Sequence, residues 1–283
     1  MAATSTAGPA QIRVRGLTKR YGDHIAVDDL SLEIPAGEVF ALLGPNGAGK
    51  TTTTEILEGY RDRDAGEVSV LGQDPQRAGR AWRARIGIVL QTSNDYAELS
   101  VTELVGHFAR YYPRPRDPDE VIEAVGLQDK RRARVRALSG GQRRRLDVAL
   151  GIVGAPELLF LDEPTTGFDP QARRSFWELI RRLRTEGTTI LLTTHYLDEA
   201  EQLADRVGVI AGGRLMAVDS PAQLGGRQSR RAQVIWRDSR EATDTPTRLV
   251  GELAGRYPGE IPDLQVLRPT LEDIYLDLIG EHS

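Results

Sequence analysis

Cysteine is missing from all 283 residues of this chain, which excludes disulfides, thiol catalysis and cysteine-ligated zinc or iron–sulfur centres. Histidine is scarce, and its four copies lie too far apart in sequence to form a metal-ligand pattern. Lysine occurs only at Lys19, Lys50 and Lys130, so arginine supplies nearly all the positive charge. With a net charge of −4 there is no basic surplus of the kind that nucleic-acid binding brings, and no nucleic-acid partner is expected. The basic run Lys130 to Arg136 (KRRARVR) therefore reads as a solvated face. No apolar run approaches the roughly 18 residues that a membrane-spanning helix needs, so any membrane role must pass through a partner. Residues 1–10 lack the charged start and apolar core of a signal peptide and read as a flexible tail, with the cytoplasm as the simplest address.

What the chain does have is centred on Gly44 to Thr52, GPNGAGKTT, between the apolar run Val39 to Leu43 and a helix-compatible segment, Thr53 to Tyr60. A glycine-rich turn from strand to helix is a phosphate-binding loop: Gly44, Gly47 and Gly49 let backbone amides turn inward, and the helix start adds free N–H groups and a positive dipole end. Pro45, Asn46 and Ala48 complete the loop. Lys50 is placed to reach the β- and γ-phosphates, Thr51 to give its hydroxyl to Mg²⁺, and Thr52 to hold further phosphate oxygens. The chemistry expected is that of a nucleoside triphosphate.

From Ile12 to Ile34 apolar and polar residues nearly alternate around a Gly22-Asp23 turn, as in antiparallel sheet. Tyr21 can stack on a base or sit as a half-buried strand residue. Gly66 to Leu71 and Ile86 to Leu90 read as further strands, the second ending at Gln91. Between Ala97 and Asp147 the pattern turns helical, broken by Pro113, Pro115 and Pro118, which suggests an inserted helical subdomain over about 92–150. It closes in LSGGQ, Leu138 to Gln142, where Ser139 is a natural N-cap and Gly140 and Gly141 leave the amides bare.

Glu157 to Pro164 (ELLFLDEP) is an apolar strand ending in two carboxylates. Asp162 can hold the Mg²⁺ shell and Glu163 can polarise an attacking water. Asp169 follows in the turn-forming pair of TTGFDP. A helix over Gln171 to Arg184 precedes the strand Thr188 to Thr194 and His195, a residue that in isolation reads as an ordinary surface histidine. Val207 to Val218 reads as a hairpin turning at Gly212 and Gly213, and the Arg- and Gly-rich Gln223 to Arg240 as a linker or exposed region. The tail Pro269 to Gly280 reads as a short amphipathic helix capped by Thr270 and Asp273, with a stripe of Leu271, Ile274, Tyr275, Leu278 and Ile279 packed on its own domain.

In order, Tyr21, GPNGAGKTT, Gln91, LSGGQ, LLFLDEP, Asp169 and His195 resemble the nucleotide-binding domain of ATP-binding cassette transporters over about residues 10 to 220. LSGGQ between the phosphate loop and the acidic strand is the discriminating mark. The resemblance implies an α/β fold: a phosphate-loop ATPase core with an antiparallel β subdomain and an inserted helical subdomain. Residues 11–222 would form the nucleotide-binding domain and 223–283 a small appendage. It also implies ATP and Mg²⁺, with a head-to-tail dimer in which each phosphate loop faces Ser139, Gly140, Gly141 and Gln142 of a second copy. In that family Gln91 helps to hold Mg²⁺ and senses the membrane partner, His195 contacts the γ-phosphate, and Asp169 works across the interface. Phe168 stands where leucine is usual, which implies altered interface packing rather than lost hydrolysis. The tail and GRLMAVDSPAQL are similar to ATPases of drug, antibiotic or lipid exporters that work at the cytoplasmic membrane face through a separately encoded permease. An importer ATPase, or a soluble cassette acting on ribosomes or DNA, is the alternative. The permease contact is expected after Gln91, where Tyr96, Leu99, Val101, Leu104, Phe108, Tyr111 and Tyr112 offer an apolar lining.

Overall fold

The computed structural model describes residues 10–89, 96–226, 231–257 and 259–280. The chain opens with β1 (Ala10–Tyr21) and β2 (His24–Pro35), then β3 (Val39–Leu43) and α1 (Lys50–Leu57). β4 (Ala65–Val70), the short α2 (Arg80–Arg83) and β5 (Ile86–Val89) follow. Three helices come next, α3 (Val101–Ala109), α4 (Pro118–Ala124) and α5 (Gly140–Ile152). Strands and helices then alternate as β6 (Leu158–Asp162), α6 (Pro170–Thr185), β7 (Thr189–Thr193), α7 (Leu197–Leu203), β8 (Arg206–Ala211) and β9 (Arg214–Asp219). The last part holds β10 (Ala232–Trp236), β11 (Ser239–Thr243), α8 (Pro246–Ala254), β12 (Gln265–Leu267) and α9 (Leu271–Gly280).

The central sheet has the order β5-β6-β7-β3-β8-β9, parallel throughout except for the β8–β9 hairpin. Its inner strands are mostly apolar because both faces are covered, with polar residues confined to their ends, such as Thr189 and Thr193 on β7. On β3, Val39, Ala41 and Leu43 point into one core with the helices, while Phe40 and Leu42 point into a second core. β6 divides in the same way, Leu159 and Leu161 against Leu158 and Phe160. The second core is closed by the antiparallel sheet β2-β1-β4, which turns Ile12, Val14, Leu30, Leu32 and Ile34 inward and leaves Arg13 and Arg15 to solvent. The Asp28–Arg214 ion pair (2.6 Å) and the bond from Asp28 N–H to the Gly213 carbonyl (2.9 Å) tie that sheet to the β8–β9 hairpin.

The helix after the phosphate loop starts at Lys50, three residues earlier than the apolar pattern indicates. Part of the stretch read as a linker is instead sheet. β10 and β11 form a hairpin, and with β12 a small antiparallel sheet, in which Ala232 and Val234 bury on one face. The lining expected after Gln91 also needs correction: Val101 and Leu104 belong to the core, and of that set Leu99 and Tyr111 are exposed. In the basic run, Arg131 pairs with Asp119, and Arg134 and Arg136 both pair with Glu98 at the surface. Among the described residues no helix is long and apolar enough to cross a membrane.

Candidate functional site

Parallel β3, β7 and β6 lie side by side, so the segments leaving their carboxyl ends converge, as ligand sites do in open α/β sheets. They enclose a cleft of about 760 Å³ lined by Tyr21, Gly44 to Gly47, Gly49 to Thr52, Asp162, Glu163 and His195, together with His24, Ala26 and Tyr275. The loop is held close against its neighbours. A Cβ on Gly44 would stand 2.3 Å from the Ile210 carbonyl oxygen, and one on Gly49, which has φ +104°, 2.3 Å from that of Ala26. No other residue fits these two positions without moving backbone. Ala48 turns into the second core rather than the cleft, and its amide donates to the Pro45 carbonyl at 3.2 Å, tightening the turn.

Lys50 is buried, and its Nζ donates to the carbonyls of Gly44 (2.7 Å) and Pro45 (3.1 Å), so the lysine lies along the loop it follows. Burial pushes its pKa down, against the pull of Glu163 and Asp162. Thr193, fully buried on β7, donates its hydroxyl to Asp162 and fixes that carboxylate at the strand end. Glu163 has φ +45°, a backbone region that side-chain-bearing residues rarely occupy and that clusters at functional sites. Its amide donates to the Thr193 carbonyl (3.0 Å), and its Oε1 lies 3.1 Å from His195 Nδ1.

Sequence reasoning missed Arg144. This buried residue on α5 donates to the carbonyls of Asp162, Glu163 (3.3 Å) and Pro164 (3.2 Å). It clamps the acidic strand end to the helix that LSGGQ begins, although burial disfavours its charge. The available signal was helical spacing, since Arg144 shares a stripe with the buried Val148 and Ile152.

Ser139, Gly140, Gly141, Gln142 and Asp169 do not line this cleft. Ser139 Oγ accepts from the Gln142 amide (3.3 Å) and Gln142 Oε1 accepts from the Ser139 amide (3.0 Å), a reciprocal cap that presents an exposed helix start. Asp169 caps α6 through the amides of Gln171 (2.9 Å) and Ala172 (2.8 Å). Phe168 turns inward, edge-on to Phe176 at 5.9 Å, so its bulk sits in this chain's own core and not on an outer surface. Gln91 lies outside the described residues.

A phosphate-binding loop, a buried lysine and two strand-end carboxylates in one cleft define a nucleotide-hydrolysing cassette. The sequence profile of the ABC transporter family matches residues 27–166. The daunorubicin resistance ATP-binding protein DrrA3 of Streptomyces coeruleorubidus is 39% identical over 95% of this chain and 96% of its own length. The Nod factor export ATP-binding protein I of Ralstonia nicotianae is 47% identical over 75% of this chain and 68% of its own. A bacterial ABC transporter cassette solved as a dimer shares the fold with a TM-score of 0.67 and 23% identity, over 74% of this chain and 98% of that one. The chain belongs to the ABC transporter family and is an ATP-hydrolysing transport ATPase.

Proposed function

We propose that this chain is the ATPase subunit of an exporter, acting as a head-to-tail pair at the cytoplasmic face of the membrane on a separately encoded permease. The observation that carries the reading is the split site. The phosphate loop and acids lie in one cleft, while the exposed helix start at Ser139 lies outside it, available to phosphates held by a second copy. Asp169, at the exposed start of α6, belongs to the same meeting surface. Export is supported by what two relatives are named for, Nod factor export and daunorubicin resistance, and the second favours a drug-like cargo.

The donor set fits Mg²⁺, which favours one or two carboxylates together with nucleotide phosphates over an all-protein cage. Thr51 and Asp162 would hold it here, with Gln91 as a third ligand, and when bound the ion neutralises charge on the transferring phosphoryl group. Loop amides and Lys50 hold the phosphates, and Tyr21 offers its exposed ring to the base. Glu163 accepts a proton from the attacking water. His195 Nδ1 faces Glu163, which leaves Nε2 to meet the γ-phosphate. The permease docks at a second groove, about 430 Å³, where Tyr60, Ile86, Ile88, Phe108, Tyr112 and Leu150 form an apolar wall and Glu58 and Arg83 add charge. It is apolar enough to take a short helix.

Glu163→Gln tests this reading. The variant should bind ATP but turn over on the order of 10² to 10⁴ more slowly, and it should run as an ATP-dependent dimer in sizing chromatography. A variant that stays monomeric with ATP, or keeps wild-type turnover, would sink the assignment of the base and the pair.

A further inference from the structure

The small sheet β11-β10-β12 leads the chain away from the ATPase core, and α9 brings it back. α9 packs on α7 and β8, burying Leu271 and Ile274 in the same core as Ala200, Leu203, Val207 and Val209. A reciprocal cap fixes its start: the Thr270 amide donates to Asp273 Oδ2 (2.8 Å) and the Asp273 amide to Thr270 Oγ1 (3.2 Å). Both elements beneath α9 lead to the phosphate end of the cleft. α7 begins just after His195, and Ile210 of β8 backs Gly44. So anchored, α9 places the half-buried Tyr275 in the wall of the cleft that also holds the phosphate loop, Asp162, Glu163 and His195. Its hydroxyl has no hydrogen-bond partner among the described residues. Burial pushes the phenol pKa up, so the group keeps its proton and remains a donor.

A neutral O–H donor facing a cleft built for anions is suited to a charge-assisted hydrogen bond. We propose that the Tyr275 hydroxyl donates to the terminal phosphate of bound ATP, so that the C-terminal helix distinguishes triphosphate from diphosphate. This rests on the reading of the cleft as the nucleotide site. Tyr275 is thereby a substrate-contacting residue outside the phosphate loop and the strand-end acids.

The experiment uses the full chain with Mg²⁺, titrating ADP and the non-hydrolysable β,γ-imido analogue of ATP into wild type, Tyr275→Phe and Lys50→Ala. Tyr275→Phe keeps the ring and its packing. It should lose about ten-fold or more in affinity for the triphosphate and less than about two-fold for ADP, the range for one hydrogen bond to a charged group. In hydrogen exchange, the triphosphate should slow the amides of 271–280 in wild type and not in Tyr275→Phe. Wild-type affinities in Tyr275→Phe, or an equal loss for both nucleotides, would overturn the proposal. Lys50→Ala separates the two levels: if it binds like wild type the cleft is not the nucleotide site, and if it loses both nucleotides while Tyr275→Phe is unaffected, only the tyrosine contact is wrong.

Discussion

Glu58, at the C-terminal end of α1, offers a measurement of how much the fold gives up to keep a carboxyl beneath the phosphate helix. It is 7% exposed, follows the buried pair Ile56 and Leu57, and lies near the negative charges of Asp162 and Glu55. No cation pairs with it among the described residues. Burial, with those two carboxylates adding to it, pushes its pKa up from 4.5 to about 8. Between these limits the folded protein keeps a proton that the unfolded chain has released, so this residue's contribution to stability falls as the pH rises through that window. Glu58→Gln keeps the shape and removes the titration. From pH 5 to pH 7 wild type should lose roughly 1–2.5 kcal/mol relative to the variant, a range that covers a folded pKa between about 6 and 8. Urea denaturation of both proteins at the two pH values gives this difference, and titrating groups remote from Glu58 cancel in the comparison. Parallel pH profiles would refute the reasoning, as would wild type gaining on the variant as the pH rises, since the carboxyl would then be ionised in the fold at little cost.

Two further substitutions examine the core and the base-binding edge. Phe168→Ala should cost about 3–5 kcal/mol in denaturant unfolding and Phe168→Leu under about 1.5 kcal/mol, because the ring is buried against Phe176; equal and negligible effects would place the ring outside the core. Tyr21→Ala should weaken ATP and GTP alike, by roughly 1–3 kcal/mol in titration, because stacking tolerates any base; an ATP-selective loss would mean that base edges are read nearby.

The parts of this molecule that were legible in the sequence are those whose signal is local. The loop of Gly44 to Thr52 is a contiguous run with an apolar strand before it, and strand, turn and helix follow from neighbours a few residues apart. Ser139 to Gln142 likewise form their reciprocal cap within four positions. Periodicity located faces but not depth: the spacing of Val101, Leu104, Phe108 and Tyr111 marks a helix, yet only the fold decides that the first two are core and the last is exposed. The β10 strand was hidden because Ala232, Val234 and Trp236 alternate over just five residues between arginines, a pattern too short to stand out from an exposed loop.

What the sequence could not reveal is how the site is supported. Asp162 is held by Thr193, 31 positions away, and the carbonyls beside it by Arg144, 18 to 20 positions back. Neither partner is unusual in its own neighbourhood; each becomes important because adjacent parallel strands and the helix after LSGGQ bring it there. Arg144 is the sharper case. A buried guanidinium is costly unless its donors are satisfied, and here they are spent on the backbone of the strand end that carries both acids. Arg144 thereby links the helix that begins at Ser139 to the strand end that carries both carboxylates. Under the proposed pairing, a shift of that helix start would reach the acids through the backbone of Asp162 to Pro164 rather than through any side chain in the recognisable motifs.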